Sequence, residues 1–271
     1  MASFTGSCPR TGWPCAAAAA ELAARGLRLD IEDTLATVTL SRPERRNAMT
    51  PGMWHGLALV GAGLPARVRV VVVRGAGPSF CAGIDLRMLA AGGVPGEEPV
   101  PGAAEPGFED WIAGVQAGFT WLRDAALVSV AAVRGPAIGA GCQLALACDL
   151  RVLADDAQLG IQEPALGLVP YLTGTKPLVD IVGLPRALEL CLTARQVGAA
   201  EAAALRLAEL VVPGAELDAA VADLVAALLA ADAAAARATK ALLARAPGRT
   251  LAEQAAAERA ALVSLSRPVQ L

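Results

Sequence analysis

The feature that most constrains this chain is a nearly pure valine run, Val68-Arg-Val-Val-Val-Val-Arg74, followed sixty residues later by a second apolar run, Val128 to Val133. Neither run alternates apolar with polar, so each reads as a strand covered on both faces, which is the pattern of a parallel sheet packed between helices. Helical periodicity lies between and around them. Thr50-Pro51 gives an N-cap and a first-turn proline opening a helix towards Leu64. Trp111, Ile112, Val115, Phe119 and Leu122 fall at helical spacing, and Gly141 to Cys148 reads as a further helix. Leu29 to Leu40 reads as two short strands around Glu32-Asp33, and Leu150 to Leu153 as another strand. The alternation predicts an α/β fold with parallel strands up to about residue 196. By pattern alone a doubly wound sheet fits equally well.

Three segments fall outside the alternation. Residues 1–26 are expected to form a poorly ordered N-terminal extension, because Pro, Gly and Cys precede an Ala run broken by Glu21 and Arg25. That run lacks the basic start and unbroken apolar core of a signal peptide. Residues 92–107 are rich in Gly, Pro and Glu and read as a mobile surface loop. Residues 197–271 read as helix after helix with no strand. Their stripe Leu217, Val221, Leu224, Val225 and Leu228 is expected to pack between subunits.

Hydrophobic residues make up 55% of the chain and aromatics only 3%, so the core must be aliphatic. A net charge of −3 without Lys/Arg runs argues against a nucleic-acid partner. No apolar run is long enough to span a bilayer, so no membrane partner is expected. Six cysteines at 8, 15, 81, 142, 148 and 191, with the lone His55, offer no metal ligand set. Cys142, Cys148 and Cys191 lie in apolar helical contexts, where a free thiol behaves as a small hydrophobe, and a reducing, cytoplasmic location is expected. His55 is expected to face solvent, and Asp85 and Asp149 to end helices or turns.

Two Gly-rich segments each leave a buried strand and enter a helix: Ser79 to Leu86, and Gly135 to Leu144. Facing helix N-termini, with their free N–H groups and positive dipole ends, make an anion trap. Neither segment has P-loop or GxGxxG spacing. Taken singly, each is equally a site of close helix–strand packing.

In order, however, these and four further segments resemble the enoyl-CoA hydratase/isomerase (crotonase) superfamily over about residues 29 to 245. The segments are Ser41 to Met49, Phe80 to Leu86, Gly135 to Asp149, Leu159 to Pro170, Gly183 to Leu190 with Leu192-Thr193, and Thr239-Lys240-Ala241. The resemblance implies a crotonase-like spiral of ββα units over residues 27–196, with residues 197–271 as a C-terminal helical trimerisation region. It implies a homotrimer or dimer of trimers acting on an acyl-CoA thioester, with no cofactor beyond the coenzyme A carried by the substrate. By motif, the backbone N–H groups of Ile84 and Ala140 would hold the thioester oxygen. Arg46, Ala48, Cys81, Ala82, Gly83, Asp85, Leu86, Gly139 and Tyr171 would line the substrate path, with Arg45 or Arg46 as a phosphate partner.

Hydratases of this family use two Glu to position a water and exchange protons. The second matches Glu163, but the first falls on Gln143, whose amide cannot exchange a proton near neutral pH. The hydratase Gly-Ala-Gly-Gly is replaced by Tyr171-Leu172-Thr173-Gly174, and the single tyrosine of the chain would fill space that water needs. Both departures favour an enoyl-CoA isomerase that moves a proton between C2 and C4 with Glu163 alone. The alternatives are a hydratase in which Gln143 orients the water, a related thioester decarboxylase or hydrolase, and a non-catalytic acyl-CoA binder.

Overall fold

The computed structural model describes residues 15–90 and 93–265. Its large sheet has six strands: β1 (Leu27–Glu32), β2 (Leu35–Leu40), β3 (Val70–Gly75), β4 (Val128–Val133), β6 (Leu150–Ala154) and β9 (Leu210–Val212). They lie in the order β1-β2-β3-β4-β6-β9, with β1 antiparallel to β2 and the others parallel. A second sheet joins β5 (Pro136–Ile138), β7 (Gln158–Gly160) and β8 (Val197–Gly198). Single-residue bridges Cys81–Ala137 and Met49–Ile84 carry its ladder onwards.

The large-sheet strands therefore share a sequel. After β2 the chain reaches Met49 and starts α2 (Pro51–Gly63), with Thr50 Oγ1 accepting from Met53 N–H. After β3 it passes Cys81 and Ile84 and enters a 3₁₀ turn at Leu86–Leu89. After β4 it forms β5 and then α4 (Ala140–Ala147); after β6 it forms β7 and then a 3₁₀ turn at Glu163–Leu166. This is a spiral of strand, short second strand and helical turn. The large sheet never reverses its strand order, so the crevice of a doubly wound sheet is not formed.

One face of the large sheet meets the main core, where α2, α3 (Phe108–Thr120) and α4 bury Trp54, Leu57, Phe119 and Leu144. The other face, with Val70, Val72, Val130 and Val152, is covered by α7 (Leu217–Ala230) through Leu217, Val221 and Val225. Double coverage explains the unbroken valine run.

Several expectations change. The extension assigned to 1–26 contains α1 (Ala16–Ala24), whose Ala18 and Leu22 are buried in the core; residues 1–14 lie outside the described residues. The boundary at 196 cuts through both sheets, because β8 and β9 follow it, separated by α6 (Ala199–Ala204). These strands are only two and three residues long, too short for alternation to register. The Gly-rich segment from Gly135 to Leu144 contains the short strand β5. Within 92–107, Val94 is buried and Glu97 Oε2 accepts from Gly52 N–H at 2.7 Å, which pins the loop to the start of α2. His55 is half-buried. The stripe on α7 packs against this chain's own sheet, with Leu217, Val221 and Val225 buried there and Leu224 and Leu228 partly so.

α5 (Thr175–Thr193) is broken at Gly183, and α8 (Ala233–Arg245) and α9 (Leu251–Leu265) close the described chain. Lys240 docks α8 by donating to the carbonyls of Asp124 and Leu127 and pairing with Asp149 at 2.6 Å. The Thr239-Lys240-Ala241 motif is thus structural. Asp149 also accepts from Ser129 N–H, away from any chemistry.

Candidate active site

Three loops at the ends of the short second strands are laced by backbone hydrogen bonds. Phe80 N–H donates to Arg134 O, Cys81 N–H to Pro136 O, and Ile138 N–H to Cys81 O. On the other side Ala82 N–H donates to Arg46 O, Met49 N–H to Gly83 O, and Asp85 N–H to Met49 O. Small residues permit this closeness. A Cβ on Gly141 would stand 2.5 Å from Cys81 O, and Gly83, at φ +102°, would bring one to 3.1 Å from Ile138 O.

The lacing leaves two donors over. Gly83 N–H is taken by Cys81 Sγ and Asp85 N–H by Met49 O, whereas Ile84 N–H between them has no acceptor among the described residues. Ala140 N–H opens α4, where no preceding turn supplies a carbonyl, and it too is without one. Ile84 and Ala140 line the same cavity of about 220 Å³. Ala82, Gly83, Leu86, Gly139, Glu163 and Tyr171 line it as well.

Glu163 begins the 3₁₀ turn after β7 and is only 6% exposed. Its Oε1 accepts from Gln143 Nε2 at 2.5 Å, while its Oε2 is buried without a partner among the described residues. Burial pushes its carboxyl above the usual range, against the Gln143 hydrogen bond and the nearby backbone N–H groups of Gln162 and Glu163, which favour the anion. Tyr171 sits beside it, its phenol pushed up to about 12 by burial and by Glu163, so it stays protonated. The ring packs edge-on against Trp54 at 6.1 Å, and Gln116 Nε2 donates to the Tyr171 carbonyl at 2.7 Å. The nearby thiols of Cys81 and Cys142 are each pushed by burial to about 12 and hold no thiolate for nucleophilic attack.

Other expected site residues stand elsewhere. Gln143 is fully buried and sits behind Glu163, outside the cavity lining. Cys81 is buried in the lacing, and Ala48 lends its carbonyl to Arg42 Nη1. Arg46, like Arg45, is exposed, with Arg46 touching the site only through its carbonyl. Asp85 is not a lining residue: it pairs with Arg87 at 2.6 Å and Arg42 at 3.1 Å, and these guanidiniums hold its carboxyl far below the usual range. Among the described residues none of Glu97, Glu98, Glu109 and Asp110 lines the cavity, and no cluster of His, Cys, Asp and Glu could hold a metal.

Two positioning residues escaped sequence reasoning. Buried Asn47, at φ +55°, donates to the carbonyls of Ala76 and Ser79 and accepts from Arg42 N–H, holding the first loop against the second. Arg42 then ties Ala48 to Asp85. Asn, a non-glycine residue enriched at positive φ, standing after Arg-Arg is the signal that could have found the first of them.

Similarity to known proteins shows the family. The family model described as enoyl-CoA hydratase/isomerase matches residues 30–268. A probable enoyl-CoA hydratase from Rhodobacter capsulatus is 34% identical over 192 residues, covering 71% of this chain and 70% of that protein. A Thermobifida fusca protein, provisionally named an enoyl-CoA hydratase and solved with CoA, is 61% identical with a TM-score of 0.88, covering 91% of this chain and 95% of its own. Its complex with acetoacetyl-CoA gives 60% identity and a TM-score of 0.89, over 91% and 96% of the two chains. The chain belongs to the enoyl-CoA hydratase/isomerase family.

Proposed function

We propose that the chain is an enoyl-CoA isomerase working with one carboxylate. The observation that carries this reading is the cavity wall: among its lining residues Glu163 is the one carboxyl group, and the partner position holds the amide Gln143. The thioester oxygen would accept from Ile84 and Ala140 N–H, which stabilise the dienolate as charge moves onto that oxygen. Glu163 takes a proton from one carbon and returns it to the other, and its raised pKa suits both halves of that cycle. Coenzyme A enters as part of the substrate, and no further cofactor is required by these steps. Buried free thiols at Cys81, Cys142 and Cys148 support a reducing, cytoplasmic setting.

Hydration is the second reading, favoured by the names of the Rhodobacter and Thermobifida relatives. The test is incubation with 3-enoyl- and 2-enoyl-CoA thioesters in heavy water, followed by mass spectrometry. Label exchange or transfer between C2 and C4, with little 3-hydroxyacyl product, is the expected result. Rapid hydration of the 2-enoyl thioester that survives Glu163→Gln would overturn the assignment of both residues.

A further inference from the structure

Gln143 is oriented by its acceptor side. Its Oε1 takes two backbone donors, Leu172 N–H at 2.9 Å and Gly174 N–H at 3.2 Å. Flipping the amide would set its NH₂ against both of them, so Oε1 must face the 172–174 turn and Nε2–H must face Glu163. Gly174 permits this closeness, since a Cβ there would stand 2.5 Å from Gln143 Cγ. The donor to Glu163 Oε1 is therefore fixed by groups outside the reacting pair.

We propose that Gln143 is a positioning residue that confines the mobile proton to Oε2 of Glu163. A proton on Oε1 would oppose the Nε2–H that already points there. Oε2, by contrast, has no partner among the described residues and belongs to a side chain lining the cavity. Resting on the isomerase reading, the cycle then runs through one atom. A substrate C–H bond breaks as Oε2–H forms, and its electron pair passes into the oxyanion-held dienolate. Oε2–H then breaks as the new C–H bond forms at the other carbon. A glutamate at 143 could not do this, because a second carboxyl 2.5 Å away would compete for the same proton.

Infrared difference spectroscopy of the resting protein tests the inference without turnover, with the protonated Glu163 band assigned by its loss in Glu163→Gln. With the proton on Oε2, the C=O at Oε1 accepts from Gln143 and its stretch lies low. In Gln143→Met that band should move to higher frequency and titrate at higher pH, because a donor favouring the anion is gone. Gln143→Glu, which still accepts from Leu172 and Gly174, is the second variant should Gln143→Met misfold, and its Glu163 should also titrate at higher pH. In double-bond migration kcat should fall about 10- to 100-fold for misplaced chemistry, with KM within about threefold. A folded variant with the Glu163 titration unmoved and kcat within about twofold of wild type would overturn the proposal, whatever its melting temperature. A shifted band in a protein that moves no double bond would keep Gln143's role and sink the isomerase reading instead.

Discussion

Glu163 combines two properties that ordinarily exclude each other, burial and an ionisable oxygen without a partner. Its folded-state pKa is raised, so between the ordinary carboxylate range and that raised value the native state holds a proton the unfolded chain has released. Stability linked to this group is present in acid and is lost as pH rises through the folded pKa. Glu163→Gln should therefore melt higher than wild type at neutral pH, with the gain vanishing in acid, as calorimetry across pH would read. The same variant should lose about 10²- to 10⁴-fold in turnover, the usual range for a removed acid/base group, with acyl-CoA binding largely retained. Glu163 was legible in the sequence because a matched motif surrounds it. The role of Gln143 was legible only in part: the amide announced that it could not exchange protons. That it braces Glu163 from behind depends on Leu172 and Gly174, some thirty residues away, and no local pattern carries that.

Among elements, the two donor loops are the parts whose failure should be cleanest to read. Ala140 occupies the first position of α4, where proline is tolerated because its missing N–H has no helical partner. Ala140→Pro is thus close to a deletion of one hydrogen-bond donor. It should leave the fold while costing about 10²- to 10³-fold in kcat, the loss typical of one oxyanion donor; a fully active, folded variant would mean the loop is misassigned. Gly141→Ala differs in kind, since its Cβ would press on the Cys81 backbone and force the two loops apart. Overpacking of this sort should lower stability by about 1–3 kcal/mol in denaturant titration and weaken turnover with it. The long strands and helices were readable from periodicity and caps, as Thr50-Pro51 illustrates. The short strands β5, β8 and β9 were not, because two or three residues such as Val197–Gly198 cannot declare a period. Ladder partners distant in sequence create them.

For the molecule as a whole, the question is what covers its last helices. α7 turns its apolar stripe to the large sheet, but among the described residues neither α8 nor α9 has a fully buried one. Leu243, Leu251, Leu262 and Val263 stand exposed on them, as do Leu184, Leu188 and Leu192 on α5. No single helix among the described residues is long and apolar enough to cross a membrane. A fifteen-residue helix with no fully buried residue among the described residues is weakly held, so α9 gains from a further surface to lie on. We propose that a second copy of the chain supplies one, and the family resemblance implies closure as a trimer or a dimer of trimers. Sedimentation at micromolar concentration should show that assembly. Leu262→Glu with Val263→Glu should shift it towards smaller species, because charges would enter a face that burial otherwise stabilises at about 25 cal/mol per Å². Lys240, anchored at Asp124, Leu127 and Asp149, should keep α8 docked in that variant, so circular dichroism should lose no more than the helical signal of α9 while the assembly comes apart. A wild-type chain sedimenting as a stable monomer would leave α9 without its support and remove the claim.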